Sequence, residues 1–402
     1  MPHIISAGKF KGVSARGKNP CHVDEVNVRN MPVKSPVETT TVSGTSSSSE
    51  SKAKELAVTA GSQKPSIVDT IPLPLVLMLA APYLAGKTAD SAITRAHKVF
   101  KDSRFTSTID ILGEDATTDA DCDGYVLQYE RLIDMVASAP LPVSRPQEQM
   151  TVSMKPSMFS TVYPPAAVGP RAAELDKAFE RIKRVTHYAK SKNVAMTLEA
   201  EDHNWADFHL ETYFTLIEEG YTNLGTVLQA RLFRTKQDVK RFDERMRVRM
   251  VIGIYNEPKE VAYTEKPIMK EFLIDYAGDL LKRGTYVELA THDADCLGKF
   301  FHQIAIPQRV PASCFETQFL LGVPRQKLEE GLVSGKYFID LATEAGTRDA
   351  EYLSELARTG IPVRMYLPFG ADKVAGPYCK RRLKANPNMM AYGIKNLLHI
   401  QS

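Results

Sequence analysis

Short apolar runs alternate with longer amphipathic stretches along the later part of the chain. From about residue 148 the runs are rich in β-branched residues: "MTVSMKPS" (150–157), "NVAMTLEAE" (193–201), "LGTVLQARL" (224–232), "VRMVIGIY" (248–255), "TYVELATHD" (285–293), "CFETQFLLG" (314–322) and "PVRMYLPFG" (362–370). Between them lie segments such as "ELDKAFERIKRVTHYAKSK" and "FHLETYFTLIEEG". Their apolar residues return every three to four positions, the period of a helix with one buried face. Alternation of this kind implies right-handed crossovers and a parallel sheet. Seven strands are legible and an eighth is expected, which predicts an α/β fold, a (β/α)8 TIM-like barrel over 148–402. No GxGxxG follows any of the runs, so the open doubly wound alternative lacks its dinucleotide signature.

The chain ahead of the barrel reads differently. Residues 68–147 carry a helical period in "TADSAITRAHKVFKD" and "GYVLQYERLIDMVASA", which predicts a helical lead-in segment. Within it, "IPLPLVLMLAAPYLAG" (71–86) holds three prolines and predicts a helix docked on a core. Residues 1–67, with "TTTVSGTSSSSESK" and few aromatics, predict a disordered tail. The first 23 residues carry four basic and no acidic side chains, so a mitochondrial leader stands as the alternative to a plain tail.

Composition narrows the function classes. At 402 residues and 43% apolar, the chain can bury one large core or two ordinary ones. A net charge of +3 from mixed signs gives no nucleic-acid footprint. The five cysteines are scattered, odd in number and without a CxxC pair, which predicts reduced thiols in an intracellular, cytoplasmic protein. No run of about 18 uncharged apolar residues is present, so no membrane-spanning helix is expected.

Active sites of such barrels gather at the C-terminal ends of the strands. Read in order, those ends supply Lys155, Glu199, Gln229, Arg249 with Tyr255, Thr291 with His292, Glu316 with Gln318, and Tyr366. Arg249 is the most informative, because a charge inside "VRMVIGIY" must be paired if the run is buried. In "THDADC" (291–296) several residues have metal-ligand chemistry, but neighbours in a strand point to opposite faces and no HxH or HxxxH partner exists, so no metal is expected. A rim of cations and amide-type donors without a clear nucleophile suits an anionic substrate and a bulky anionic cofactor. Beyond the last strand, Tyr378, Arg381, Arg382 and Ala385 share one helix face, while Cys379 and Leu383 lie on a flank that can pack. Paired guanidiniums beside an aromatic fit either a solvated basic face or a receptor for a small carboxylate.

These motifs resemble, in order, those of the proline dehydrogenases over about 150–390. "VSMKPS" is similar to the family's first-strand lysine motif, "TLEAEDH" to its second-strand acidic motif and "VLQARLFRT" to its third-strand Gln motif. "VRMVIGIYNEP" resembles its R-L-V-K-G-A-Y segment, "ATHD" its A-T-H-N/D segment, "FETQFLLG" its E-F-Q-x-L-x-G segment, and "RMYLPFG" with "YCKRRL" its Tyr strand and double-Arg helix. The resemblance implies a distorted barrel that uses FAD to oxidise L-proline to Δ1-pyrroline-5-carboxylate, the first step of proline catabolism. It implies that Arg381 and Arg382 bind the substrate carboxylate and that Tyr255, Tyr366 and Tyr378 shape the pocket. Lys155, Glu199 and Tyr366 would be catalytic, with Lys155 also touching substrate. Gln229, Arg249, Gly253, Thr291, His292 and Gln318 would contact the flavin. A quinone acceptor and a peripheral contact with the inner membrane are implied as well. Three departures stand out: Glu199 where the family has Asp, Ile252 in place of the R-L-V-K-G-A-Y lysine, and Ala385 in place of a Glu. They keep open the alternative of a divergent oxidoreductase acting on another cyclic imino acid, or a weakly active relative.

Overall fold

The computed structural model describes residues 70–113, 115–143, 145–345 and 349–385, with the side chains at 344, 345, 381 and 385 outside the description. Eight parallel strands close into a barrel in chain order: β1 (Thr106–Ile111), β2 (Thr151–Met154), β3 (Ala195–Leu198), β4 (Leu224–Gln229), β5 (Arg247–Val251), β6 (Tyr286–Ala290), β7 (Phe315–Leu320) and β8 (Val363–Phe369). Each of the seven expected runs contains a strand. The eighth is β1, which pairs with both β2 and β8 and closes the ring. It lies inside the stretch read as a helical lead-in, so the barrel begins near residue 106 rather than 148, and 68–147 is not helical throughout. The expected tail, residues 1–67, lies outside the described residues.

The strands alternate in a way that parallel barrels seldom do. Strands buried on both faces usually read as continuous apolar runs. Here Val248, Met250, Val287, Leu289, Phe315, Phe319, Val363 and Met365 belong to the apolar core, while the alternate positions Arg247, Arg249, Glu288, Glu316, Gln318 and Arg364 bond to one another. Arg364 donates to Glu316 (Nε–Oε1 2.6 Å) and to the carbonyls of Ser107 (3.1 Å) and Gln149 (2.9 Å). Arg247 donates to Glu288 at 2.7 Å. Thr108 and Thr151 meet hydroxyl to hydroxyl at 2.8 Å, which explains why β1 carries hydroxyls where an apolar run was sought. Ions enclosed this deeply persist only when paired and hydrogen-bonded.

The crossover helices are α3 (Asp119–Ser138), α4 (Ala173–Ser191), α5 (Ala206–Glu218), α6 (Thr235–Asp238), α7 (Lys266–Lys282), α8 (Ala294–Phe300), α9 (Gln326–Ser334), α10 (Lys336–Ala345) and α11 (Ala350–Thr359), with α12 (Asp372–Ala385) after β8. Asp293 caps α8 by accepting from Cys296 N at 3.1 Å and pairs with Lys270, which gives "THDADC" a structural role. Among the described residues, Cys122, Cys296 and Cys379 are free and buried. Among the described residues, no helix is long and apolar enough to cross a membrane.

Ahead of the barrel, α1 (Leu73–Ala80) and α2 (Ala89–Ser103) form the lead-in. Val76, Ala80 and Tyr83 join Cys379 and Leu383 of α12 in a second apolar cluster, as the docked-helix reading expected. The chain then follows the end of β8, where Ala85 N donates to Pro368 O at 2.8 Å and Gly370 N to Gly86 O at 3.2 Å. A close approach fixes this seat: Gly322, at φ +83°, faces the Pro82 carbonyl, and a Cβ there would lie 2.4 Å from that oxygen. Gly322→Val is expected to cost at least about 2 kcal/mol through the left-handed backbone and the clash together. Urea denaturation checks this, and an unchanged midpoint would show that residues 81–83 are not seated against the β7 loop.

Candidate active site

The site builds upward from the charges inside the barrel. Arg249 is 4% exposed and donates Nε to Gln318 Oε1 at 2.6 Å and Nη1 to Glu199. Glu288 lies 3.6 Å from its Nε. The pairing that a charge in "VRMVIGIY" requires is therefore present. Burial opposes the guanidinium's charge, but Glu199 and Glu288 outweigh it and hold Arg249 firmly protonated. Glu288 is likewise opposed by burial yet held below its usual range by Arg247, Arg249 and Arg364. Gln318 gives both amide protons to Glu288 (2.7 Å) and Glu316 (2.6 Å) and accepts from Arg249, so its polar atoms are already engaged. The Ser153 hydroxyl donates to the same Glu199 oxygen that Arg249 holds.

A second charged pair stands beside the first. Lys155 Nζ donates to Asp110 Oδ1 at 2.6 Å and to the Ile111 carbonyl at 3.3 Å. Burial pushes the Asp110 carboxyl up, against the pull of Lys155. Burial also works against the lysine, but Asp110 and Glu199 outweigh it and raise its pKa. Tyr366 stands near enough to Asp110 to lower its pKa slightly, and the Tyr366 ring lies 5.2 Å from the Arg249 guanidinium carbon. Tyr366 sits within β8 rather than at its end, and Tyr255 lies four residues past β5, in the loop. Asp110 was missed because the strand bearing it was missed. An acid inside "STIDIL" is the same signal that Arg249 gives in its own run.

Further round the mouth, Gln229 donates to the Glu201 carbonyl at 2.8 Å. Gly253 has φ +105°, and a Cβ on it would come within 2.6 Å of Gln229 Oε1, so this position requires glycine. Thr291 Oγ1 accepts from Asp293 N at 3.2 Å. His292 Nε2 accepts from Leu320 N at 3.2 Å, which leaves the proton of the neutral ring on Nδ1. Burial, then Arg325 and Arg382, push this histidine down to about 4, so the ring is neutral at physiological pH. Glu201, another residue the sequence reading left out, accepts from Ser157 N (2.8 Å) and Oγ (2.7 Å), and burial lifts it to about 7.

On α12, Arg382 is turned inward. Its guanidinium carbon lies 5.3 Å from the centre of the Tyr378 ring, and Tyr366 and Tyr255 are its other electrostatic neighbours. Tyr378 raises the Arg382 pKa against burial, and no carboxylate among the described residues pairs with it. The side chain of Arg381 lies outside the described residues.

Among the described residues, three buried side-chain nitrogens find no protein acceptor: Arg231 Nε, Arg249 Nη2 and His292 Nδ1. They belong to β5 and to the segments that follow β4 and β6, three neighbouring strands of the ring. Unsatisfied buried donors are costly, and together they fit a large ligand rich in oxygen and ring-nitrogen acceptors, as a flavin is.

The family model described as Proline dehydrogenase matches residues 92–391. Proline dehydrogenase 1 of Bacillus subtilis subsp. natto is 27% identical over 317 residues, covering 79% of this chain and 89% of that one. The proline dehydrogenase of Deinococcus radiodurans is 28% identical over 322 residues, covering 80% and 90%. The crystal structure of proline utilization A (PutA) from Bdellovibrio bacteriovorus superposes with a TM-score of 0.62 at 22% identity. It covers 76% of this chain, which spans 32% of that protein, and the likeness shows the barrel fold. With three-quarters of its length matched by the family model, the chain belongs to the proline dehydrogenase family.

Proposed function

We propose that this chain oxidises L-proline with FAD as cofactor, the first step of proline catabolism, and that the residues described above carry the reaction. The observation that supports the substrate best is Arg382: a half-buried guanidinium with aromatic neighbours and no carboxylate among the described residues to pair with it. A cation enclosed in this way is completed by an anion from outside, and Arg382, with Arg381, receives the proline carboxylate. Tyr255, Tyr366 and Tyr378 enclose the pyrrolidine ring. FAD, when bound, accepts the hydride that leaves the carbon beside the ring nitrogen.

The remaining roles belong to the protein. The amine must be neutral before hydride leaves, because positive charge then develops on nitrogen. Lys155, Glu199 and Tyr366 stand on that side, with Asp110 holding the lysine in place. Arg249 and His292 have N–H groups to spare for the flavin, and Gln229, Gly253 and Thr291 complete its contacts. Gln318, whose amide is spent on Glu288 and Glu316, acts by orienting Arg249. Such donors are held by the fold before the ligand arrives, which is the arrangement that favours charge stabilisation at low cost. A quinone takes the electrons onward. The contact this implies with the inner membrane is peripheral and from the cytoplasmic side, supported by Leu75 and Met78, which share an exposed apolar face of α1.

Anaerobic addition of L-proline is expected to bleach the visible flavin spectrum of the purified protein, and a spectrum that stays oxidised counts against proline as substrate. Arg382→Met should raise KM for proline at least about thirtyfold while flavin content is kept. An unchanged KM would remove the carboxylate-receptor role. Asp110→Asn should lower the Lys155 pKa, since the largest opposing effect to burial is then gone. The alkaline limb of the kcat/KM profile is expected to move to lower pH, and an unmoved limb would argue against a protonated Lys155 in turnover.

A further inference from the structure

We propose that Arg231, two residues past the end of β4, binds the diphosphate of FAD. The proposal rests on the flavin position given above and adds an anchor to it.

Arg231 follows Gln229 by two residues, and its backbone is fixed on both sides. Its N donates to the Ile252 carbonyl at 3.1 Å, and its own carbonyl accepts from Tyr263 N at 2.8 Å. The side-chain stem lies against Gly253, where an added Cβ would come 2.8 Å from Cδ and 3.1 Å from Cγ. The positive φ and missing side chain of Gly253 therefore make room for two neighbours at once, Gln229 and Arg231. At the head, Nη1 donates to the Tyr255 carbonyl, while Nε is buried without an acceptor.

No carboxylate among the described residues forms an ion pair with this guanidinium. Acids are available nearby, since Arg234, three residues on, is paired with both Asp207 and Asp238. An arginine held by its stem, with an unsatisfied N–H and no counter-charge, is organised for an anion that the protein does not itself provide. The substrate's carboxylate is already matched by Arg382, whose helix follows β8 across the ring. The anionic groups of FAD at neutral pH are its two phosphates, and the planar fork of arginine suits phosphate oxygens.

The test compares FAD with riboflavin, which carries the same ring system and no phosphate, by quenching of flavin fluorescence in the full chain. Arg231→Gln is expected to weaken FAD binding about tenfold or more and to leave riboflavin binding within about twofold. Arg231→Lys, which keeps the charge without the fork, should recover part of the loss. In the unaltered protein, added salt should weaken FAD binding more than riboflavin binding. FAD binding unchanged in Arg231→Gln overturns the proposal, as does equal weakening of both flavins, which would make Arg231 a support for the Tyr255 loop. If Arg231→Gln fails to fold, an identical salt response of FAD and riboflavin in the unaltered protein overturns it instead. Failure of the unaltered protein to bind either flavin would instead remove the flavin position itself.

Discussion

The buried ion network inside the barrel is the constraint on which the rest of the molecule depends. Arg364, Glu316, Gln318, Glu288, Arg247, Arg249 and Glu199 form a continuous set of hydrogen bonds from the lower interior to the mouth. Such a set contributes little net stability against a well-packed apolar interior. Taking away one member is different, because an uncompensated buried charge costs on the order of 3–5 kcal/mol. The network therefore acts mainly as a specification: the strands must hold one register, or several charges lose their partners at once.

The same network delivers a rigid guanidinium to the mouth. Two of the Arg249 nitrogens are bound from below and from the side, and Nη2 is left without a protein acceptor. Preorganisation of this kind requires that the donor's other bonds be satisfied by groups that cannot move. Gln318 meets that condition because its own amide is held by two buried glutamates. Lys155 repeats the pattern one strand pair away, fixed by Asp110 on β1.

The substrate side is held by a different means. The helix bearing Arg382 packs by Cys379 and Leu383 against Val76, Ala80 and Tyr83 of the lead-in. An apolar contact between the two ends of the described chain thus sets how far the guanidinium is turned toward Tyr366 and Tyr255. Gly322 and the backbone bonds at Ala85 and Gly370 keep that contact in place. The lead-in is in this sense part of the site, although it offers no group to the ligand.

Much of this was determined by sequence alone. The alternation of short, β-branched apolar runs with segments of helical period decided between strand and helix for seven of the eight strands. The lone charge in "VRMVIGIY" announced a buried pair, since an unpaired one would be too costly, and spacing on the last helix grouped Tyr378 with Arg382. What sequence could not decide was every partnership made across the ring. Glu199 is fifty residues from Arg249 and Glu316 forty-eight from Arg364, and only barrel closure brings them within bonding distance. β1 escaped notice because its inward hydroxyls and Asp110 replace the apolar run that a strand buried on both faces should show. Nothing in the sequence sets Arg231 apart from the other arginines of the chain. Its lack of a counter-charge exists only in three dimensions, where the nearby acids are already paired with other bases.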